Sequence, residues 1–246
     1  MSGRILRIAA AGFSLGLGLA PVVASAQEFG YRGEIGPAYW DTLNPDWAAC
    51  GNEEIQSPVD LRSQRTYPRL DASYSESTGR IFNNGHTVEV EVDSGANTLI
   101  LDGVAYELAQ FHFHTGSEHR VDSRGYDMEL HLVHKSAAGA NAAVGVFLRR
   151  GSDSGALAPV FAALPDIEAE NVKYELDDAF DPTDFLPASK AHYRYVGSLT
   201  TPPCTEGVQW VVMKEPVTVS DEDIAQFAAQ VTFNARNTQR VLPARP

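Results

Sequence analysis

The sequence predicts a mainly β chain, of the α+β kind, with few helix signals. Three observations carry this expectation. Thr87-Val-Glu-Val-Glu-Val92 alternates apolar and polar residues with the two-residue period of a half-buried strand. Asp102-Gly103 is a hairpin signal between two apolar runs, Thr98–Leu101 and Val104–Leu108. Gln110-Phe-His-Phe-His114 and Glu129-Leu-His-Leu-Val-His134 alternate in the same way. Such patterning fits one large sheet and a two-sheet sandwich equally well. With 246 residues and no fixed-period repeat, a single globular domain is sufficient.

In chain order, the first stretch stands apart. Arg4 and Arg7 precede an apolar run, Ile8 to Val23, and Ala24-Ser-Ala26 supplies a small-x-small cleavage site. This predicts a secretory signal peptide over 1–26 and a single domain over 27–246, the alternative being an uncleaved anchor. Export would make the product periplasmic or secreted. Losing Arg4 and Arg7 from 19 basic residues, against 32 acidic ones, would move the formal net charge from −13 to −15. So acidic a chain repels nucleic acid and anionic membrane, so neither is expected as a partner, and the charge says nothing about the chemistry. The two cysteines, Cys50 and Cys204, suggest a disulfide in an exported chain. A Cys metal ligand or catalytic thiol finds no CxxC and no nearby base.

Tyr31 to Trp40 is punctuated by Gly and Pro and reads as an irregular arm whose aromatics, with Trp47, pack on the body. Gln56-Ser-Pro-Val-Asp-Leu61 is extended, because Pro58 disfavours helix at Ser57. Asn83-Asn-Gly-His86 signals a turn. Ala142–Arg149 has buried-strand character, and Leu157–Leu164 reads as a short helix stopped at Pro165. The acidic stretch 172–184 reads as loop. Val208–Met213 reads as a strand. Ser220-Asp-Glu-Asp223 opens a helix running to Val231, with a capping hydroxyl and an acidic first turn.

The chemistry concentrates in residues 109–135. On strands, Gln110, His112 and His114 share one face, and Glu129, His131 and Val133 share another. Laid side by side, the two strands bring His112, His114 and His131 together. Three neutral imidazole ligands with a fourth position open to water describe a catalytic zinc site rather than a closed structural one. Gln110 and Glu129 suit the second task of such a site, holding the far nitrogen of a ligating ring.

Phe-His-Phe-His (111–114), Ser-Glu-His (117–119) and Glu-Leu-His-Leu-Val-His (129–134) resemble the α-class carbonic anhydrases. So do Asn84-Gly-His86 and Gly197-Ser-Leu-Thr-Thr-Pro-Pro203, and the likeness runs from about Tyr31 to Gln239. The resemblance implies a large, twisted, mostly antiparallel sheet with short outer helices, and a zinc enzyme that hydrates carbon dioxide as a monomer or homodimer. It implies a Cys50–Cys204 bridge between the N-terminal segment and the loop after Thr-Thr-Pro-Pro. Thr200 would accept a hydrogen bond from zinc-bound hydroxide and donate one to a buried Glu118. Thr201 would contact bicarbonate, and His86 would shuttle protons at the cavity mouth. Val133, Ala143, Leu199, Val208 and Trp210 would form the apolar wall beside the nucleophile, with Tyr31 at the pocket edge. His119, His134 and the C-terminal Asn234-x-Arg236 would be structural, and His192 surface or packing. Three residues depart from the family pattern. Thr115 stands where many relatives have tryptophan, and Ala143 is smaller than the frequent valine. Glu89 places a charge three residues past His86, where it could raise the pKa of that ring. The rivals to an enzyme are a non-catalytic binding protein on the same fold and a periplasmic zinc carrier. The first typically loses a zinc histidine; the second favours flexible His/Asp-rich loops, which this sequence lacks. A serine hydrolase would need a Gly-x-Ser-x-Gly elbow, also missing.

Overall fold

The computed structural model describes residues 28–240 except 53, 54, 94–96 and 168. The segment read as an export signal, 1–26, lies outside the described residues. Among the described residues, twelve strands join in one sheet. They are β1 (Arg65–Tyr67), β2 (Ala72–Ser73), β3 (Gly79–Asn83), β4 (Val88–Val92), β5 (Thr98–Leu101) and β6 (Val104–Thr115). There follow β7 (Met128–Ser136), β8 (Asn141–Gly151), β9 (Tyr174–Glu175), β10 (His192–Ser198), β11 (Glu206–Met213) and β12 (Val217–Ser220). The main path runs β1-β10-β11-β8-β7-β6-β4-β3-β9, with β5 on β6, β2 on β5 and β12 on β8. Only β11 and β12 pair parallel, both with β8. The sheet is therefore large, twisted and mostly antiparallel, as the family resemblance implies.

The hairpin forms at Asp102-Gly103, both at positive φ (51° and 81°), the conformation that its two-residue turn demands. The strand after it continues into the ligand strand, as its place before the histidine segment predicts. It runs through a bulge near Ala109 into the histidine segment, so that β6 is one element of 12 residues. The helix expected over Leu157–Leu164 is shorter than the pattern suggested. Pro159 starts a single α segment, α2 (Ala158–Ala162, after α1 at Trp40–Leu43), and 3-10 turns flank it on both sides. The acidic stretch read as loop holds the two-residue β9 at the sheet edge and a 3-10 turn at Pro182–Phe185. α3 (Asp221–Gln230) begins as foreseen, with Ser220 Oγ accepting from the Asp223 N–H at 3.1 Å.

Both faces of the sheet are buried. Phe111 and Phe113 point into the larger core, against Phe180, Phe185, Phe161 and Phe227. Ala143, Phe147, Val208, Trp210 and Val212 build a second cluster on the other face. A third joins the N-terminal arm to the body through Trp40 and the Cys50–Cys204 disulfide, S–S 2.06 Å. The bridge spans 154 residues, and its removal should destabilise the protein by up to about 5 kcal/mol on chain-entropy grounds. Urea unfolding with and without reductant measures this. No helix among the described residues is long and apolar enough to cross a membrane.

His134 lies on the core side of β7, fully buried. Its Nδ1 donates to the Leu132 carbonyl at 3.0 Å, which leaves Nε2 to accept from the Tyr74 hydroxyl at 2.9 Å. Burial pushes its pKa down to about 4. In the unfolded chain an imidazole titrates near 6.5, so on acidification the unfolded state takes up the proton first. Stability is whole above about pH 6.5 and declines toward pH 4, by about 3 kcal/mol from this residue. A His134→Gln variant should show a shallower acid limb in urea titrations at pH 7 and pH 4.5.

Candidate metal centre

The register of the central strands sets the site. His112 on β6 lies directly opposite His131 on β7, and His114 lies opposite Glu129. The His112–His131 row continues to Gly145 on β8 and Val212 on β11. The next row runs Gln110, Val133, Ala143, Trp210 and Tyr195 across five strands. Small residues on β8 leave the room: a Cβ at Gly145 would stand 2.9 Å from Glu129 Oε1.

His112, His114 and His131 each offer a nitrogen, and these lie within 4.8 Å of one another. The opposite nitrogen of every ring is held. His112 Nδ1 donates to Gln110 Oε1 at 2.8 Å, and His131 Nε2 to Glu129 Oε1 at 2.9 Å. His114 Nδ1 donates to the Asn234 carbonyl at 2.8 Å. Each ring is thereby fixed in the tautomer that turns a lone pair inward. Burial lowers the pKa of His112 far below its ordinary value, with His114 and His131 adding to the effect. Burial also lowers His114, against the pull of Glu118. Neutral rings are the form that binds a metal. Among the described residues His114 Nε2 is buried without a hydrogen-bond partner, which is costly unless something occupies the centre. Three neutral imidazoles and an open side suit zinc among the common divalent ions.

Glu118 is buried beneath this cluster. Its Oε1 accepts from the Arg236 N–H at 2.7 Å. Its Oε2 lies 3.5 Å from His114 Nε2 and 3.9 Å from His131 Nδ1, with no hydrogen-bond partner among the described residues. The bond expected from Thr200 is therefore not made in this structure: one oxygen is taken by a backbone amide and the other faces the imidazoles. Thr200 is buried and lines the pocket above the rings.

That pocket is a recess of about 370 Å³. Its walls include His112, His131, the five expected wall residues Val133, Ala143, Leu199, Val208 and Trp210, and Thr201. Ala142, Asn141 and Lys135 also line it and carried no sequence signal. His86 does not. It stacks on Phe29, ring centroids 3.8 Å apart, in a second recess of about 380 Å³ whose walls include Tyr31. Asn234 joins the two places, its Nδ2 donating to the His86 carbonyl at 3.0 Å. Burial lowers the His86 pKa, and the carboxylates that oppose this are Glu28 and Glu170. The expected influence of Glu89 on His86 is thus corrected. Alternation along β4 sends Glu89 to the metal pocket, opposite His112, where burial raises its own pKa.

Three residues read as structural or left unassigned bear directly on the centre. Asn234 orients His114 through a backbone carbonyl, which no side-chain motif can announce. His119 donates Nδ1–H to Glu129 Oε1 at 2.6 Å and its own backbone N–H to Oε2 at 2.8 Å. Tyr195 reaches His119 Nε2 at 2.6 Å. The disulfide forms between the expected cysteines, and Cys204 N donates to the Thr201 carbonyl at 2.8 Å, tying the bridge to the threonine loop. His192 packs against Tyr67.

Comparison with known proteins points the same way. Residues 35–244 match the family described as eukaryotic-type carbonic anhydrase. A carbonic anhydrase of Nostoc sp. is 39% identical over 226 residues, covering 89% of this chain and 85% of that protein. One from Klebsiella pneumoniae is 37% identical over 217 residues, covering 87% of each. The structure of the α-carbonic anhydrase of Thermovibrio ammonificans, in complex with the inhibitor sulfanilamide, superposes with a TM-score of 0.83 at 36% identity. It is matched over 88% of this chain and 97% of that one. Sheet, histidine cluster and sequence likeness agree, and the chain belongs to the eukaryotic-type, or α-class, carbonic anhydrase family.

Proposed function

We propose that the chain reversibly hydrates carbon dioxide to bicarbonate and a proton, at a zinc ion held by His112, His114 and His131. One observation carries the reading: three inward imidazole nitrogens within 4.8 Å, one of them buried and unpartnered. Bound zinc supplies a hydroxide nucleophile at neutral pH by acidifying water, as is established for carbonic anhydrases.

The protein's own groups do the rest. Gln110, Glu129 and the Asn234 carbonyl hold the three rings. Val133, Ala143, Leu199, Val208 and Trp210 offer an apolar recess, which suits a neutral substrate without hydrogen-bond donors. Glu118 Oε2 lacks a donor, and the Thr200 hydroxyl is the group we assign to it. A hydroxyl that donates to a carboxylate keeps only acceptor capacity, so it turns the proton of the attacking oxygen toward itself and the lone pair toward carbon. Thr201 contacts bicarbonate. His86 exports the proton from its place on Phe29 beside the metal pocket; burial lowers its pKa, so the ring is neutral between transfers. Replacing His86 with alanine should slow turnover in weak buffer, and added imidazole should restore it.

The disulfide suggests an oxidising compartment, which supports removal of 1–26 and a periplasmic or secreted domain over 27–246. Elemental analysis of the purified protein with a pH-drop assay tests the whole reading. It requires about one zinc per chain and rapid hydration; a zinc-loaded protein without hydration would leave the carrier or binding-protein reading.

A further inference from the structure

Glu129 does more than hold His131. Its Oε1 accepts two N–H groups, from His131 Nε2 at 2.9 Å and His119 Nδ1 at 2.6 Å. A carboxylate accepts only, so His119 must carry its proton on Nδ1 for this to hold. An imidazole has two tautomers, and the other would turn a lone pair on Nδ1 against the carboxylate. The carboxylate selects the first, and a hydroxyl donor at Nε2 would hold it there.

We infer that the Tyr195 hydroxyl reinforces that choice, locking the tautomer of His119 and through it the orientation of Glu129 on the metal-holding His131. The chain of donors has one consistent direction. Ser198 N donates to Ser57 Oγ at 3.0 Å. Ser57 Oγ lies 2.9 Å from the Tyr195 oxygen, and it is the donor when the tyrosine hydroxyl donates onward. Tyr195 donates to His119 Nε2 at 2.6 Å, and His119 Nδ1 donates to Glu129. His119, Glu129 and Ser57 are fully buried, and Tyr195 is partly buried. Two glycines clear the space. A Cβ at Gly197 would stand 2.2 Å from Ser57 Oγ and 2.6 Å from Tyr195 Cε2, and one at Gly145 would press on Glu129 Oε1. Tyr195 lies beyond the reach of the metal pocket, so it is a positioning residue: it touches neither substrate nor metal.

The inference rests on the metal-centre reading, and its test uses no carbon dioxide. Nitrogen-15 NMR of the wild-type imidazoles should find neutral His119 protonated at Nδ1; a proton on Nε2 instead would overturn the assignment, whether or not zinc binds. Tyr195→Phe keeps the ring stacked on Trp210, with centroids 6.3 Å apart. It should mix the His119 tautomers and speed zinc release to a chelator about tenfold or more. Partners of this kind typically change metal affinity about 10- to 100-fold, a range drawn in part from carbonic anhydrases themselves. His119→Asn supplies a donor to Glu129 that has no tautomer to fix. Adding Tyr195→Phe to it should leave zinc release unchanged. Equal acceleration in both backgrounds would mean that Tyr195 acts by packing alone, and no acceleration in either would remove it from the metal centre.

Discussion

Replacing His131 with alanine is expected to empty the centre of zinc and reduce hydration to the uncatalysed background. His131 supplies the only inward nitrogen on β7; His112 and His114 both belong to β6. Two imidazoles from one strand cannot close a tetrahedral set. The fold should survive. The lost ring leaves space beside Trp210, whose ring centroid lies 4.8 Å away, and takes one of two side-chain donors from Glu129. A cost of about 1–3 kcal/mol follows from that lost bond. Metal analysis, stopped-flow hydration and thermal unfolding on one preparation check all three points. A variant that still held one zinc per chain would show that the ion sits elsewhere.

Thr200→Val should separate catalysis from metal binding. Valine fills the same volume, so the recess and the three rings are left alone. The hydroxyl assigned to Glu118 is gone, however, and nothing then aligns the attacking oxygen. Loss of one preorganised hydrogen-bonding group in an active site costs about 10²–10³ in turnover, with zinc content unchanged. A carrier would be indifferent to this substitution. Hydration at the wild-type rate would remove Thr200 from the mechanism and leave Glu118 Oε2 unexplained.

The parts of the centre that can be read from sequence are those written in side-chain type and strand period. Alternation alone sends His112 and His114 one way and Phe111 and Phe113 the other, and the structure keeps that division. Glu129 and Gln110 are legible for the same reason. The pairing of β6 with β7 is not written in the sequence, and the single sheet follows only from resemblance. His114 is oriented by a main-chain carbonyl 120 residues away, and a carbonyl belongs to every residue type. His119 reads as a packed histidine because its role depends on Tyr195, on a strand far along the chain. Resemblance places His86 at the mouth of the metal pocket, and nothing near Asn84-Gly85 reveals that its ring stacks on Phe29. The helix after Leu157 was overdrawn, because apolar spacing says little about where Pro159 lets a turn begin.

The bonds from Asn234 to His114 and from Arg236 to Glu118 set the order in which the molecule is finished. A ribosome delivers both histidine strands about a hundred residues before it delivers the segment that steadies them. Until that last stretch docks, one imidazole is free to rotate and the buried acid lacks its amide. Newly made chains should therefore capture their ion only once residues 234–236 have docked, and a chain cut short before Asn234 should fold most of its sheet yet hold zinc poorly.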